Sequence, residues 1–355
     1  MLFLVFIVLS AILGSGIAEK VNRRKFLFYW LVFGILATVP IPFFQSKESL
    51  IIFGILAGTS FGLGITSCQA FLADSTIPEE RGRVAGLAIL TTFVLVILSF
   101  LAVLVLRLES TGILLVSIGI RSTGFLSFLL DPIDKQENKA KSWRSILGCR
   151  DFRLYLLAYT LFNIAAGLVA FIWQGLPDSP EFEAASTTGN FVRYIGLGFF
   201  AIIAGVMADR VGRKKPIMLG LIMLGTAYAL IGIMTTSATY FANLVLSGLA
   251  WGVIMVIYLV VPGDLSFPGS EERFYAVGWL IPLVLYIGIN GAARFVIIVA
   301  EIAVFSTILT ALLFASAFPI WTASETLPES KIQSRRLKEY TEKVGKIVQE
   351  TKKTD

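Results

Sequence analysis

Histidine is absent from the 355 residues, and cysteine occurs only twice. The first absence removes the commonest metal ligand and the side chain that most often works as general base near neutral pH. Cys68 lies inside an apolar run and Cys149 in a charged stretch, so no disulfide framework is implied. Charge is sparse as well: 15% of the chain is Asp, Glu, Lys or Arg, whereas 56% is hydrophobic and mean hydropathy is +0.81. A soluble core could not hold so much apolar surface, but helices facing lipid need not bury it. No apolar run carries a cluster of Asp or Glu at helical spacing, so an integral-membrane enzyme is not expected, nor is a metal or cofactor. The apolar start Met1–Ile17 has no basic stretch ahead of it, unlike a cleaved signal peptide, and reads as a membrane span.

Eleven apolar stretches are candidates to cross the ~30 Å hydrocarbon core as helices. They are residues 1–17, 26–44, 50–73, 84–106 and 110–130, then 154–176, 187–207, 216–235, 239–262, 274–293 and 296–318. Two short polar loops organise them. Gly205–Lys215 reads GVMADRVGRKK, and 190 positions earlier Ser15–Lys25 reads SGIAEKVNRRK. Glu19 and Lys20 match Asp209 and Arg210, and Arg23, Arg24 and Lys25 match Arg213, Lys214 and Lys215. The same offset relates Gly58 and Gly62 to Gly248 and Gly252, and Asp74, Pro78 and Arg83 to Asp264, Pro268 and Arg273. Agreement at three separated places with one offset identifies two related halves in the same orientation.

The later loop resembles the signature G-x-x-x-D-R-x-G-R-[RK] of the major facilitator superfamily of transporters. Gly205, Asp209, Arg210, Gly212, Arg213 and Lys214 fill its positions, and the earlier copy departs from it at Ser15, Glu19 and Asn22. The resemblance implies an all-α integral membrane fold of two bundles related by a pseudo-two-fold axis. Residues 1–131 would form the first bundle, 132–153 a cytoplasmic linker, 154–318 the second bundle and 319–355 a cytoplasmic tail. Trp143, Ile146 and Leu147 of the linker are expected on a short turn along the membrane interface. In the tail, Leu337, Tyr340, Val344 and Ile347 are spaced as one helical face, a solvated or interface-lying helix.

With both organising loops in the cytoplasm, all 30 Lys and Arg fall on cytoplasmic segments except Lys47, Arg107, Arg121, Arg193 and Arg294. The net charge of +6 is thus a topology signal and gives no support to nucleic-acid binding. The expected location is the plasma membrane, multi-pass and monomeric, with the C-terminus cytoplasmic. By the repeat, the span from 154 has its counterpart ahead of Met1. A further helix is therefore expected upstream, with a start about forty residues earlier.

In the family the loop motif braces the halves together on the cytoplasmic side. The resemblance therefore implies that Asp209 sits near the start of the 84–106 span, around Gly82–Ala85, with Glu19 placed similarly around Arg273–Tyr275. Arg210 and Arg213 would pair with acids such as Asp74, Glu79 or Glu80. The implied gate set is Gly205, Asp209, Arg210, Gly212, Arg213, Lys214, Glu19, Lys20, Arg23, Arg24, Asp74, Arg83, Asp264 and Arg273. A carboxylate at a helix N-terminus is stabilised by its unpaired amides, so the placement makes physical sense.

Charges inside spans are costly and invite a functional reading. Arg193 is a candidate for an anionic solute, and Glu301, the sole acid well inside a predicted span, for a coupling proton; Arg121 is a weaker solute candidate. By analogy with the family's cavity-lining helices, Gln69, Asn163, Asn243, Trp251 and Tyr258 are further candidate contacts. The 50–73 span carries no Arg and the 84–106 span lacks a Gly-Pro-rich signature, which disfavours a drug/proton antiporter. ETLPESK at 325–331 is faintly similar to the ending of sugar porters, but LLDPIDK at 129–135 is not, and no such assignment follows. The reading is a secondary transporter of a small solute, polar or anionic, with a coupling ion and the lipid bilayer as its other partners. The alternative is a protein of the same fold that does not transport, a truncated product, receptor or assembly subunit.

Overall fold

The computed structural model describes residues 2–18, 20–40, 47–129, 141–174, 179–233, 236–293, 295, 301–328, 330, 332–334, 337, 341 and 344. Its elements are almost entirely helical. The first half holds α1 (Leu2–Ala18), α2 (Arg23–Thr38), α3 (Lys47–Asp74), α4 (Arg81–Val105) and α5 (Ser110–Thr123), the last extended by a 3-10 turn, Gly124–Leu129. After the short α6 (Trp143–Gly148) come α7 (Arg150–Gln174), α8 (Pro180–Val211), α9 (Lys214–Ile233) and α10 (Ser237–Leu265). A continuous rod follows, α11 (Glu271–Tyr275), a π-turn (Ala276–Leu280) and α12 (Ile281–Ala293), and then α13 (Ile302–Thr322). Among the described residues nine helices are long and apolar enough to cross a membrane; α1 and α2 are shorter. Among the described residues each of the eleven predicted spans contains a helix, and the fold class stands as read.

Local chemistry sets several helix starts. The Asn22 side chain accepts the Arg24 amide at 3.0 Å, and Thr236 accepts that of Thr239 at 3.2 Å, each supplying a partner to an orphan amide of the first turn. Pro180, in the first turn, needs no amide partner there, so α8 begins seven residues before the predicted 187. α13 starts at Ile302, later than the predicted 296, with Glu301 as the residue that precedes it.

Small residues bring the helices together. A Cβ added at Gly58 or Gly62 of α3 would lie 2.5 Å from the Phe3 carbonyl oxygen or 2.3 Å from that of Ile7 on α1. In the second half Gly248 and Gly252 of α10 meet the carbonyls of Arg193 and Leu197 on α8 at 2.5 and 2.4 Å. These four contacts are two pairs at the 190-residue offset, so the repeat is one of packing as well as of sequence. Apolar residues such as Leu13, Phe199 and Phe318 are exposed on the outside, which suits hydrocarbon rather than water.

The linker turn docks on protein through one residue. Ile146 of α6 is fully buried in a cluster with Phe152 and Phe274, and the Arg273 guanidinium lies over the Trp143 ring at 5.0 Å. Of the three apolar residues, Ile146 alone is covered completely; Trp143 is part-buried and Leu147 is exposed. Of the tail's apolar face, Leu337 and Val344 are exposed, and Tyr340 and Ile347 lie outside the described residues.

Candidate functional site

The ends of α2, α3, α4, α8, α9, α10 and α11 converge on the side that carries the basic loops. α8 ends at Gly212, whose φ of +91° is open to glycine and strained for other residues. That turn folds Arg213 back beneath the helix, where it is fully buried, while Arg210 stays exposed.

Asp209 is 2% exposed, and its carboxylate accepts the Gly82 amide at 2.8 Å and the Arg83 amide at 2.9 Å, at the start of α4. The two amides belong to the first turn of a helix, where backbone donors have no partner of their own and an anion is favoured. Arg83 adds its Nε at 3.2 Å from the half-exposed side. Close approach makes this possible: a Cβ on Gly205 would stand 2.2 Å from the Gly82 oxygen, and one on Gly82 would stand 2.5 Å from Asp209.

Arg213 links this cap to a second acid. It reaches Asp209 at 3.4 Å and Asp264 at 2.9 Å, and donates to the carbonyls of Ala208 and Pro78. Asp264, at the end of α10, also takes Arg81 of α4 at 2.6 Å and the Thr326 hydroxyl at 3.0 Å. Arg81 completes its set on the carbonyls of Ala73 and Thr76. Two guanidinium groups and two carboxylates thus neutralise one another with their hydrogen bonds largely filled, the condition under which buried charge is tolerated.

A related clasp is built around Arg23. It pairs with Asp74 of α3 and, at 2.6 Å, with Glu272 of α11, which is fully buried. Burial works against its charge, but Glu272 and Asp74 outweigh it and lift the guanidinium above the usual arginine range. Arg24 bonds the Phe128 carbonyl at 2.9 Å, Arg273 bonds that of Lys141 at 2.8 Å, and Lys20 is exposed. Glu19 and Arg294 lie outside the described residues.

The expected acid partners of the loop cations need correction. Arg210 makes no ion pair among the described residues, and Arg213 pairs with Asp209 and Asp264 rather than with Asp74, Glu79 or Glu80. The rotation imposed at Gly212 decides this. Sequence reasoning also missed Arg81, Glu272 and Glu325. Glu325 accepts the amides of Arg213 at 2.7 Å and Lys214 at 3.1 Å, capping α9, and Lys214 Nζ returns to the carbonyls of Trp321 and Ala323. The repeat could not have exposed Arg81 and Glu272, since the residues at the 190-position offset, Glu271 and Gly82, are of a different kind.

The proposed solute contacts divide into separate groups. Tyr258 stacks on Tyr159 at 3.8 Å, Tyr159 on Phe162 at 5.8 Å, and Phe162 meets Trp251 at 4.7 Å, which meets Tyr286 at 5.2 Å. This aromatic column joins α10, α7 and α12, and Asn163 lies on α7 within it. Gln69 is buried on α3, and the Asn243 amide turns to α9, donating to the Ala227 carbonyl at 2.6 Å. Gln69 Oε1, Asn163 Oδ1, Asn243 Oδ1 and the Tyr258 hydroxyl are buried without a hydrogen-bond partner, as are the hydroxyls of Thr66 and Ser67. Such atoms are costly to leave unsatisfied. Arg193 stands apart from the column, its guanidinium 6.0 Å from the Trp173 ring and its Nε buried without a partner.

Two further charges fall elsewhere than expected. Glu301 lies ahead of α13 and is exposed, because the helix starts one residue after it, so it is not an acid inside a span. Arg121 is a clamp within the first half, donating to the Gly34 carbonyl at 2.6 Å, Ser60 at 2.8 Å and Thr38 at 3.2 Å.

A family model described as "Major Facilitator Superfamily" matches residues 1–289. No curated protein matches the sequence. Among solved structures, the human organic anion transporter MFSD10 (TETRAN) is similar with a TM-score of 0.73 at 16% identity, over 90% of this chain and 82% of that one. The proton:xylose symporter XylE, solved with 6-bromo-6-deoxy-D-glucose, has a TM-score of 0.69 at 12% identity, over 92% of this chain and 85% of that one. At these identities the likeness is one of fold.

Proposed function

This chain belongs to the major facilitator superfamily, and we propose that it is a secondary transporter that moves a small polar or anionic organic solute by alternating access. The observation that carries the reading is the Asp209 carboxylate on the amides of Gly82 and Arg83. That contact joins α8 of one half to α4 of the other, as Arg81–Asp264 joins α4 to α10 and Arg23–Glu272 joins α2 to α11. All three are polar and reversible, and all lie at one end of the bundle. They form a cytoplasmic gate, shut here, whose opening would require each to exchange its partner for water. Two states of similar free energy are what alternating access needs, and a solute shifts them only by its differential affinity.

The lean to an anion rests on Arg193, a part-buried cation for which no acid partner stands among the described residues. MFSD10, of similar fold, is described as an organic anion transporter. The unsatisfied amides and hydroxyls of α3, α7 and α10 would hold the polar body of the solute. The protein would sit in the plasma membrane with its C-terminus cytoplasmic.

The test is counterflow into liposomes holding the purified protein, screened with carboxylate, sugar and cationic solutes. Saturable exchange of a carboxylate that Arg193→Met abolishes and Arg193→Lys partly keeps is expected. Binding without saturable flux for every class would instead favour a receptor or assembly role.

A further inference from the structure

Positions 190 apart keep the same charge at the gate: Arg23 and Arg213, Asp74 and Asp264, Arg83 and Arg273. Arg81 breaks the pattern, because its counterpart is Glu271. In one clasp the acid Asp264 is met by Arg81 at 2.6 Å. In the other, the equivalent acid is Asp74, and the residue at the position of Arg81 is itself an acid.

Glu271 is 7% exposed. Its Oε1 accepts the Gly269 amide at 2.9 Å, and its Oε2 is buried without a partner. Arg23, the cation of this clasp, is already committed to Asp74 and Glu272. Glu271 opens the rod that runs from Glu271 to Ala293, and the charges that act on its buried carboxyl are those of two other acids, Asp74 and Glu272. A buried neutral carboxyl costs far less than a buried carboxylate facing another.

We infer that Glu271 carries a proton when the gate is shut, so that closure takes up a proton at the place where the other clasp uses Arg81. The inference rests on the gate reading above. Among the described residues the charge from another element that acts on Glu271 is Asp74 of α3; Arg23 of α2 pairs with Asp74 and with Glu272, and Arg81 of α4 and Asp264 of α10 act on Tyr275, one turn further on. Its own helix adds Glu272, Arg273 and Tyr275, and Lys141 lies against the preceding Ser270. Of the other helices packed on α11, α1 brings no titratable side chain and α6 brings Arg144.

The sign follows from linkage. Opening brings Glu271 into water, where its carboxyl ionises in the ordinary range; the shut form binds the proton more tightly. Shut gates are therefore favoured as pH falls and lost as it rises. One proton changes the ratio of shut to open by at most about tenfold per pH unit.

The test places spin labels on exposed Ile77 and Pro268, in the loops after α3 and α10, in the full chain with Cys68 and Cys149 replaced, and follows their separation in lipid nanodiscs. Between about pH 8 and about pH 6 the short-distance population is expected to rise several-fold, within that tenfold limit per unit. Glu271→Gln is expected to stay shut at both pH values. Glu271→Arg, which restores the pairing that Arg81 makes with Asp264, is expected to do the same. A wild-type separation blind to pH, a full pH response retained in Glu271→Gln, or a response to sodium in place of pH would overturn the inference. Counterflow with a pH-blind separation would sink the proton site alone; a pH response in a protein without counterflow would sink the transport reading alone.

Discussion

The Asp209 carboxylate lies 2.8 Å from the amide nitrogen of Gly82, which is 127 positions away in sequence. The bond joins the end of one helix to the start of another in the opposite half. Its worth depends on charge: an ionised acceptor at a helix start is stronger than a neutral one. Asp209→Asn keeps the shape of the cap but loses that charge and the pairing with Arg213 and Arg83.

The first prediction is that Asp209→Asn weakens the shut state by about 1–3 kcal/mol, shifting the ratio of shut to open by roughly 5- to 150-fold. A single cysteine at Ala70, fully buried on α3, should then react faster with a maleimide added from the cytoplasmic side. Unchanged labelling in a well-inserted variant would count against the gate.

Gly205 and Gly119 should answer the same substitution in opposite ways. Gly205→Ala drives a methyl group to within 2.2 Å of the Gly82 oxygen, so α4 and α8 must separate and the shut state suffers. At Gly119 nothing stands within 4 Å, and Ala there should stabilise α5 by about 0.5–1 kcal/mol. Thermal unfolding in detergent checks the second, and the labelling assay the first.

Arg121→Met tests structure against solute binding. The variant loses bonds to Gly34, Ser60 and Thr38, which tie α5 to α2 and α3, each charged hydrogen bond contributing about 1.5–3 kcal/mol. Expected are a lower unfolding temperature and an unchanged KM in whatever molecules insert correctly. A selective rise in KM at normal stability would return Arg121 to the solute site.

Glu325→Ala should strip α9 of its cap, costing about 0.5–2 kcal/mol. Because Arg213 supplies one of the capped amides, the loss should also loosen the gate, and protease access to the segment after Thr322 should rise. Equal proteolysis of variant and parent would show that Glu325 is dispensable there.

At the gate, sequence carried residue types and spacing further than it carried partners. The resemblance of its loop to a family signature placed Asp209 near Gly82, and the carboxylate does accept that amide. It could not tell which cation follows Asp209 inward, because Arg210 and Arg213 differ only in rotation about a helix end, and the +91° φ of Gly212 decides that. Glu301 was misread for a similar reason. An apolar run shows where a helix is possible, not at which residue its first turn closes.

What the sequence determined by itself is what can be summed or compared along one chain. Hydropathy over windows makes this an all-α membrane protein, and one internal offset makes two halves of it, since both signals are local to the segment that bears them. Tertiary structure alone decided how each helix is turned about its axis. Helices that are apolar on every side carry little periodicity to show which face meets protein. Hence Asn243 turns to Ala227, Arg121 closes on Gly34, and Glu271 comes to rest, buried, where its repeat partner is an arginine.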